Sequence, residues 1–575
     1  MRCSHKTFLG EFAEKINILI ENQIKPGSRF TDKAKSLFFD SKGRKSSFRR
    51  ELTPLVEQYW FKYLNSTTFE RILYNLRRKS SREDEWIQHC LKDCVGFAWN
   101  CKKSMKEEKI VVKQILFAFG ILILFFTFFF LLQHDGIYRK SIAKLGPNYE
   151  KSGHQRDVKI RSVYKPYSSV DNESLNHWDA ALYLRIKQEG YAKSDRLAKE
   201  KLAFYPLFPY LWRLSHLDSL GIVCFNYLLF VCGLLILSMQ LIEPGNRRLL
   251  IFGIGLLVPA AASYYLPYAE SLFLLTMAIA VWGIFSRRYG MYFIGTLLLA
   301  MTRPSALIFI VALLFTELIY FFEHRNWRKL LSNTALMAGP PVIGFLVVSF
   351  IQYLPSGSWS AYFDSMELWP TESGFFNPIV DWSLEGFGMT VFAVFFLAIP
   401  ALVYVLIWAG QAFLSKERKE VPDLFSDNKT VKKEYLLRVS LLFITGNLVY
   451  TALTSGNMIN GFSRYTMAVP FFYIILFILP EKLERQSVLR ILLAIALCTA
   501  GLIAFLCNVI YGSGHRLEWS GAGLFISLGL LLFFVLEPYM PARLKWTLFV
   551  LLAIPCVLWH TYLFNMFLSD AWIFT

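Results

Sequence analysis

Four ionisable residues stand at the edges of long apolar runs: Asp179 in NHWDAALYLRI, Glu270 in SYYLPYAESLF, Arg303 in AMTRPSAL and Arg464 in GFSRYTMAVPFF. A carboxylate fixed beside a hydroxyl can take its proton. A guanidinium can grip phosphate oxygens and compensate charge that grows on a leaving group. His177 and Trp178 directly precede Asp179, and Tyr191 closes the same segment, so aromatic and imidazole groups are available to bind a ligand. Each residue also has a structural explanation. Asp179 could cap a helix, Glu270 could pair with Arg303, and both arginines could snorkel to a surface.

The chain that must position these residues is apolar. It has 575 residues, 54% hydrophobic, 17% aromatic and 18% charged, with mean hydropathy +0.38. Many separated apolar runs of roughly 16–24 residues are long enough to cross a hydrocarbon layer as helices. The expected fold is an all-α polytopic membrane bundle of about 11–13 transmembrane helices. VVKQILFAFGILILFFTFFFLL, beginning at Val111, forms the first. The others fall near 220–242, 249–266, 271–286, 290–301, 304–322, 335–354, 389–413, 436–453, 465–480, 488–511, 519–537 and 545–565. A single helix across 290–322 would be roughly 50 Å long, too long for one crossing, so the run divides at Pro304.

Charge distribution orients the bundle. The net charge of +18 includes 23 Lys/Arg against 14 Asp/Glu in residues 1–110, and much of the remainder lies in short loops. EPGNRR, SRRYG, EHRNWRK, SKERKEVPDLFSDNKTVKKE, PEKLERQ and EPYMPARLK are rich in Lys/Arg and are assigned to the cytoplasm. This is the distribution of a membrane protein, with no zinc-finger or basic-zipper pattern to suggest nucleic acid. The opposite loops are poor in basic residues apart from the first, about 133–219, which holds Asp179. Glu270, Arg303 and Arg464 fall on the same non-cytoplasmic side.

Residues 1–110 form a basic cytosolic N-terminal region, and 111–575 the transmembrane domain. Within the first region, Leu55–Arg78 could lie on the bilayer as an amphipathic helix or form a small cytosolic appendage. No cleavable leader precedes the first apolar run. None of the nine cysteines falls in an outer loop, and the spacing of His89, Cys90, Cys94 and Cys101 matches no ordinary zinc set, so neither disulfides nor metal are expected. Trp178, Ala181, Leu182 and Ile186 form the apolar face of an interfacial helix. In AFYPLFPYLWRL, two prolines predict a re-entrant or surface-lying turn. Asn172-Glu173-Ser174 is a glycosylation sequon if the loop faces a secretory lumen.

HWDAALYLRIKQEGY and KLAFYPLFP together resemble the luminal-loop signature of the PIG-V family, the second mannosyltransferase of GPI-anchor synthesis, and its prokaryotic relatives. VPAAASYYLPYAESLF, MTRPSAL and SRYTMAVPFF are similar to later elements of that family. The resemblance covers about 175–310, reaches 464–470, and leaves out residues 1–110. Its basic KSDRLAKEK interval and Pro304-Ser305-Ala306 depart from the pattern. The resemblance implies a GT-C glycosyltransferase fold, Asp179 as catalytic base, and a polyprenyl- or dolichyl-phosphate sugar as donor. It further implies transfer of mannose or a similar hexose to a glycolipid hydroxyl, with inversion. His177, Trp178, Tyr191, Glu270, Arg303 and Arg464 are the expected substrate-binding residues. No P-loop, DxD or GxGxxG occurs, and no cofactor or divalent metal is expected.

The membrane would be the endoplasmic reticulum in a eukaryote and the inner membrane in a bacterium. The alternatives are a bacterial GT-C enzyme acting on envelope glycolipid or protein, and a non-enzymatic flippase for lipid-linked sugars. A cysteine at position 179 should react with an impermeant maleimide only from the non-cytoplasmic side. Labelling from the cytosol would contradict this topology.

Overall fold

A computed structural model describes residues 85–134, 170–191, 196–367, 387–414, 424–454, 461–484, 487–511 and 519–568. The stretch Leu55–Arg78 lies outside them. The chain divides into two compact units, Met1–Met105 and Lys106–Thr575. Of the first unit, only the helical backbone from Glu85 is described; it belongs to α1, Glu85–His134. No strand occurs among the described residues.

The second unit is a helical, multi-pass membrane bundle. Among the described residues, seven helices are long and apolar enough to cross: Glu107–Leu131, Ser219–Leu241, Ala306–His324, Trp327–Ser356, Met389–Leu414, Lys429–Leu453 and Ala542–Asn565. Shorter apolar helices cover Glu270–Phe285 and Tyr289–Ala300, while Ser487–Tyr511 and Trp519–Leu536 are apolar helices of 25 and 18 residues. Among the described residues, the 249–266 run is bent and the 271–286 and 290–301 runs form short helices, so these three are not single straight crossings.

The segment carrying Asp179 forms α2, Asp179–Glu189, which buries Ala180, Tyr183 and Ile186. This shifts the expected packing face: Ala181 and Leu182 are half-buried and Trp178 is exposed. The Tyr183 ring decides the helix rotation, meeting Phe204 and Phe208 edge-on at 5.1 and 5.0 Å. A short helix, α3 (Arg196–Lys201), follows. AFYPLFPYLWRL also differs from expectation. Leu207–Ser215 is a helix, α4, with Pro206 as its N-cap and Pro209 in its first turn. At those positions a missing N–H costs no intrahelical bond.

The sharpest difference concerns 249–266. Beyond α5 (Ser219–Leu241), it forms α6 (Asn246–Leu257) and a 3₁₀ turn (Pro259–Tyr265), bent by 74°. Irregular backbone at membrane depth is tolerated only where the protein supplies hydrogen bonds. Here it does. The Val258 carbonyl lies 2.9 Å from His560 Nε2. Asn226, buried in α5, donates through Nδ2 to Leu266 O at 2.6 Å and Tyr268 O at 2.9 Å. Ser271 Oγ donates to Tyr264 O at 3.1 Å.

The next helices are α7 (Glu270–Phe285) and α8 (Tyr289–Ala300), and the Pro304 break separates α8 from α9 (Ala306–His324). Leu207 N donates to Met301 O at 3.2 Å, tying α4 to that break. α7 packs tightly on α8. A Cβ on Gly283 would lie 2.4 Å from Tyr292 N, and one on Gly295 would lie 2.6 Å from Ala280 N. Gly283→Val should therefore lower the thermal midpoint and the monodisperse yield in detergent, since overpacking costs about 1–3 kcal/mol. Gly120→Ala, where a Cβ meets nothing within 4 Å, should leave both unchanged.

Candidate functional site

Asp179 is the first residue of α2, and Trp178 occupies the N-cap without a side-chain capping bond. The carboxylate is not spent on capping. Its Oδ2 accepts from Arg464 Nη1 at 2.6 Å, and among the described residues Oδ1 has no hydrogen-bond partner. Trp178 has φ 53° and ψ −128°, a backbone region costly for a non-glycine residue, and its side chain is 43% exposed.

Arg464 belongs to a short helix, Phe462–Met467, that begins after Gly461 at φ 73°. The expected 465–480 span is interrupted at Ala468–Val469, before Pro470–Glu484 resumes. This break places Arg464 where two carboxylates meet. Its Nε donates to Glu270 Oε1, its Nη1 to Asp179, and its guanidinium lies 4.4 Å from the centroid of the Tyr268 ring. Burial disfavours the cation, and the carboxylates of Glu270 and Asp179 offset that cost.

Glu270 is the first residue of α7 and is fully buried. Its Oε1 also pairs with Arg303 Nη1 at 3.0 Å, whereas its buried Oε2 has no hydrogen-bond partner among the described residues. Arg303 is 4% exposed, lies beside Phe273 and Tyr465, and donates no hydrogen bond to a described residue. Two cations and two anions thus form one formally neutral cluster, buried except for the partly exposed Asp179 carboxylate.

Asp179, Glu270, Arg303 and Arg464 come from four segments widely separated in sequence, and the fold brings them together. His177 packs at the edge of this region, its ring centroid 6.0 Å from that of Phe567, which also lies 5.8 Å from Tyr268. Tyr191 is placed elsewhere. It is buried with Ile186, Leu202 and Ala361, and its hydroxyl donates to Phe204 O at 2.7 Å, a packing role in the 190–204 turn. Burial also raises the Tyr191 pKa, which keeps the hydroxyl a donor.

Sequence reasoning missed Asn226 and Phe567. Asn226 carries a weak signal, an amide within a span, while Phe567 carries none. A second polar network was also missed at the other end of α9. Arg438 pairs with Glu323 at 3.4 Å and Glu434 at 3.1 Å and lies over Trp408, while Tyr435 Oη donates to buried Glu317 at 2.8 Å. Buried charge is therefore not confined to one face. No group of three His, Cys, Asp or Glu able to hold a metal ion occurs among the described residues, and Cys224, Cys232, Cys498 and Cys556 are free thiols.

Compared with protein-family models, curated proteins and solved structures, the chain matches none.

Glu270→Gln would leave two buried guanidiniums opposing one carboxylate. It should destabilise the protein by about 3–5 kcal/mol, seen as a large fall in thermal midpoint. Adding Arg303→Met restores neutrality and should recover much of the loss. No recovery in the double variant would contradict the neutral-cluster description.

Proposed function

We propose that the protein is an inverting membrane glycosyltransferase of GT-C type. It moves mannose or a similar hexose from a polyprenyl- or dolichyl-phosphate carrier to a glycolipid hydroxyl, as a GPI mannosyltransferase 2 does. The proposed bundle crosses the membrane about 11–13 times by including shorter and bent helices, with the site on the luminal or periplasmic face. The observation that carries this reading is the contrast inside the cluster. Asp179 has one oxygen tied to Arg464 and one left over, while Arg303 is buried with donors unfilled among the described residues.

In this mechanism Arg464 aims Asp179. Oδ1 of Asp179 takes the acceptor's hydroxyl proton as the acceptor oxygen bonds to the anomeric carbon. The bond from that carbon to the phosphate oxygen breaks in the same displacement, and its electron pair leaves with the lipid phosphate. One in-line displacement inverts the anomeric centre, as it does when a single carboxylate serves as base in an inverting glycosidase. Arg303 compensates the charge gained by the phosphate. Arg464, engaged by two carboxylates, is the poorer candidate for that task. The exposed Trp178 ring, held in a costly backbone conformation beside Asp179, offers an apolar face to the sugar or its lipid carrier.

Transfer of labelled mannose from polyprenyl-phosphate mannose to glycolipid acceptors, read by product mass, tests this function. Asp179→Asn should fold, reach the membrane and lose about 10²–10⁴-fold in rate. Arg303→Met should lower kcat by about 10²–10³-fold. Full activity in Asp179→Asn would remove that residue from the mechanism. Donor binding without transfer in the wild type would favour a lipid-linked-sugar flippase instead.

A further inference from the structure

At the far end of α9 from Arg303 lies a second candidate binding place. The helix has 19 residues, so the two ends are separated by roughly 28 Å, close to the thickness of a hydrocarbon layer. There α10 (Trp327–Ser356) begins, with Asn326 Oδ1 accepting from Lys329 N at 3.2 Å. A cavity of about 340 Å³ opens beside its first turns.

Its two halves differ chemically. Arg328, Lys329, Ser332 and Asn333 make a basic and polar rim, while Leu336, Met337, Leu424 and Phe425 make an apolar floor. The floor is held in place: Tyr292 Oη donates to Met337 O at 2.7 Å, and Phe425 packs edge-on against Tyr289 at 5.9 Å and Tyr292 at 6.3 Å. The charges on the rim are not consumed locally. Neither Arg328 nor Lys329 makes an ion pair among the described residues, whereas neighbouring Arg287 is paired with Asp427 at 2.9 Å. Trp327 and Leu331, 64% and 67% exposed, flank the rim on the outward side of the same helix. An exposed tryptophan beside basic residues at the end of a span is the composition of a headgroup-level anchor.

We infer that this cavity binds the headgroup of an acidic glycerophospholipid from the leaflet opposite Asp179. Arg328 and Lys329 meet the phosphate, Ser332 offers a hydroxyl to the remaining headgroup oxygens, and the acyl chains leave over the apolar floor. A bare phosphate would use the rim and leave the floor without a partner, which is why a lipid is the better fit. This site is independent of the proposed transferase reaction and involves none of its residues.

The test uses purified full-length protein in a neutral detergent, incubated with phosphatidylglycerol or with phosphatidylcholine of the same chains. Retained lipid is counted by native mass spectrometry. Wild type should retain phosphatidylglycerol roughly tenfold or more above Arg328→Ala/Lys329→Ala, with phosphatidylcholine equal in both. Arg328→Lys/Lys329→Arg keeps the charge and should bind as wild type, which separates loss of charge from loss of fold. Equal retention of phosphatidylglycerol by wild type and the alanine variant would overturn the proposal. So would full displacement of the lipid by millimolar inorganic phosphate, since the anion alone would then account for binding.

Discussion

The structure depends on how Arg464 is neutralised in an apolar bundle. A guanidinium with 3% of its side chain exposed needs anionic partners where it lies, and it has two: Glu270 at the head of a buried helix and Asp179 at the head of a peripheral one. The same contact that makes the charge tolerable also holds the loop carrying Asp179 against the bundle. Arg303 completes the neutral set through Glu270, although its Nη1, 3.0 Å from Glu270 Oε1, makes no hydrogen bond among the described residues. Removing an ionised partner from such a set is costly because the remaining charges stay buried. In the proposed transferase, structural and chemical demands would meet in the same four side chains.

Those side chains reach one place because the chain breaks its helices at three points. Helices end at Leu257, Ala300 and Met467, and Glu270, Arg303 and Arg464 lie at or near the breaks that follow or flank them. Such breaks expose backbone groups that lipid cannot satisfy. Asn226, His560 and Ser271 meet that demand around the first break, and Leu207 N binds a carbonyl at the second. Asn226 therefore supports the position of Tyr268, on whose ring Arg464 rests, without touching the charged cluster through either of these hydrogen bonds.

Hydropathy made the membrane class and most helices legible, since a charge within an apolar run stands out regardless of fold. The break at Pro304 could be read from proline and from the length of the run. The bend at Val258 was not legible in the same way, because Pro259 alone does not reveal the 74° turn stabilised by Asn226 and His560. Asp179, Glu270, Arg303 and Arg464 could be singled out, but only the fold assigns Arg464 to both carboxylates. Tyr191 was singled out by its neighbours in sequence, and only the fold shows its hydroxyl bonded to the Phe204 carbonyl. The rotation of α2 was likewise set by the Tyr183 contact with Phe204 and Phe208 rather than by its amphipathic pattern.

Charge is buried at both ends of the bundle. At each, an arginine is paired with two carboxylates and lies over an aromatic ring; near Asp179, Glu270 Oε2 and Arg303 Nη1 also have no hydrogen-bond partner among the described residues. The central claim is that Asp179 is held by Arg464, and a double-mutant cycle in thermal stability tests it most directly. With Asp179→Asn, Arg464→Gln and their combination, the account predicts a coupling of about 1–3 kcal/mol. Purely additive losses would contradict it.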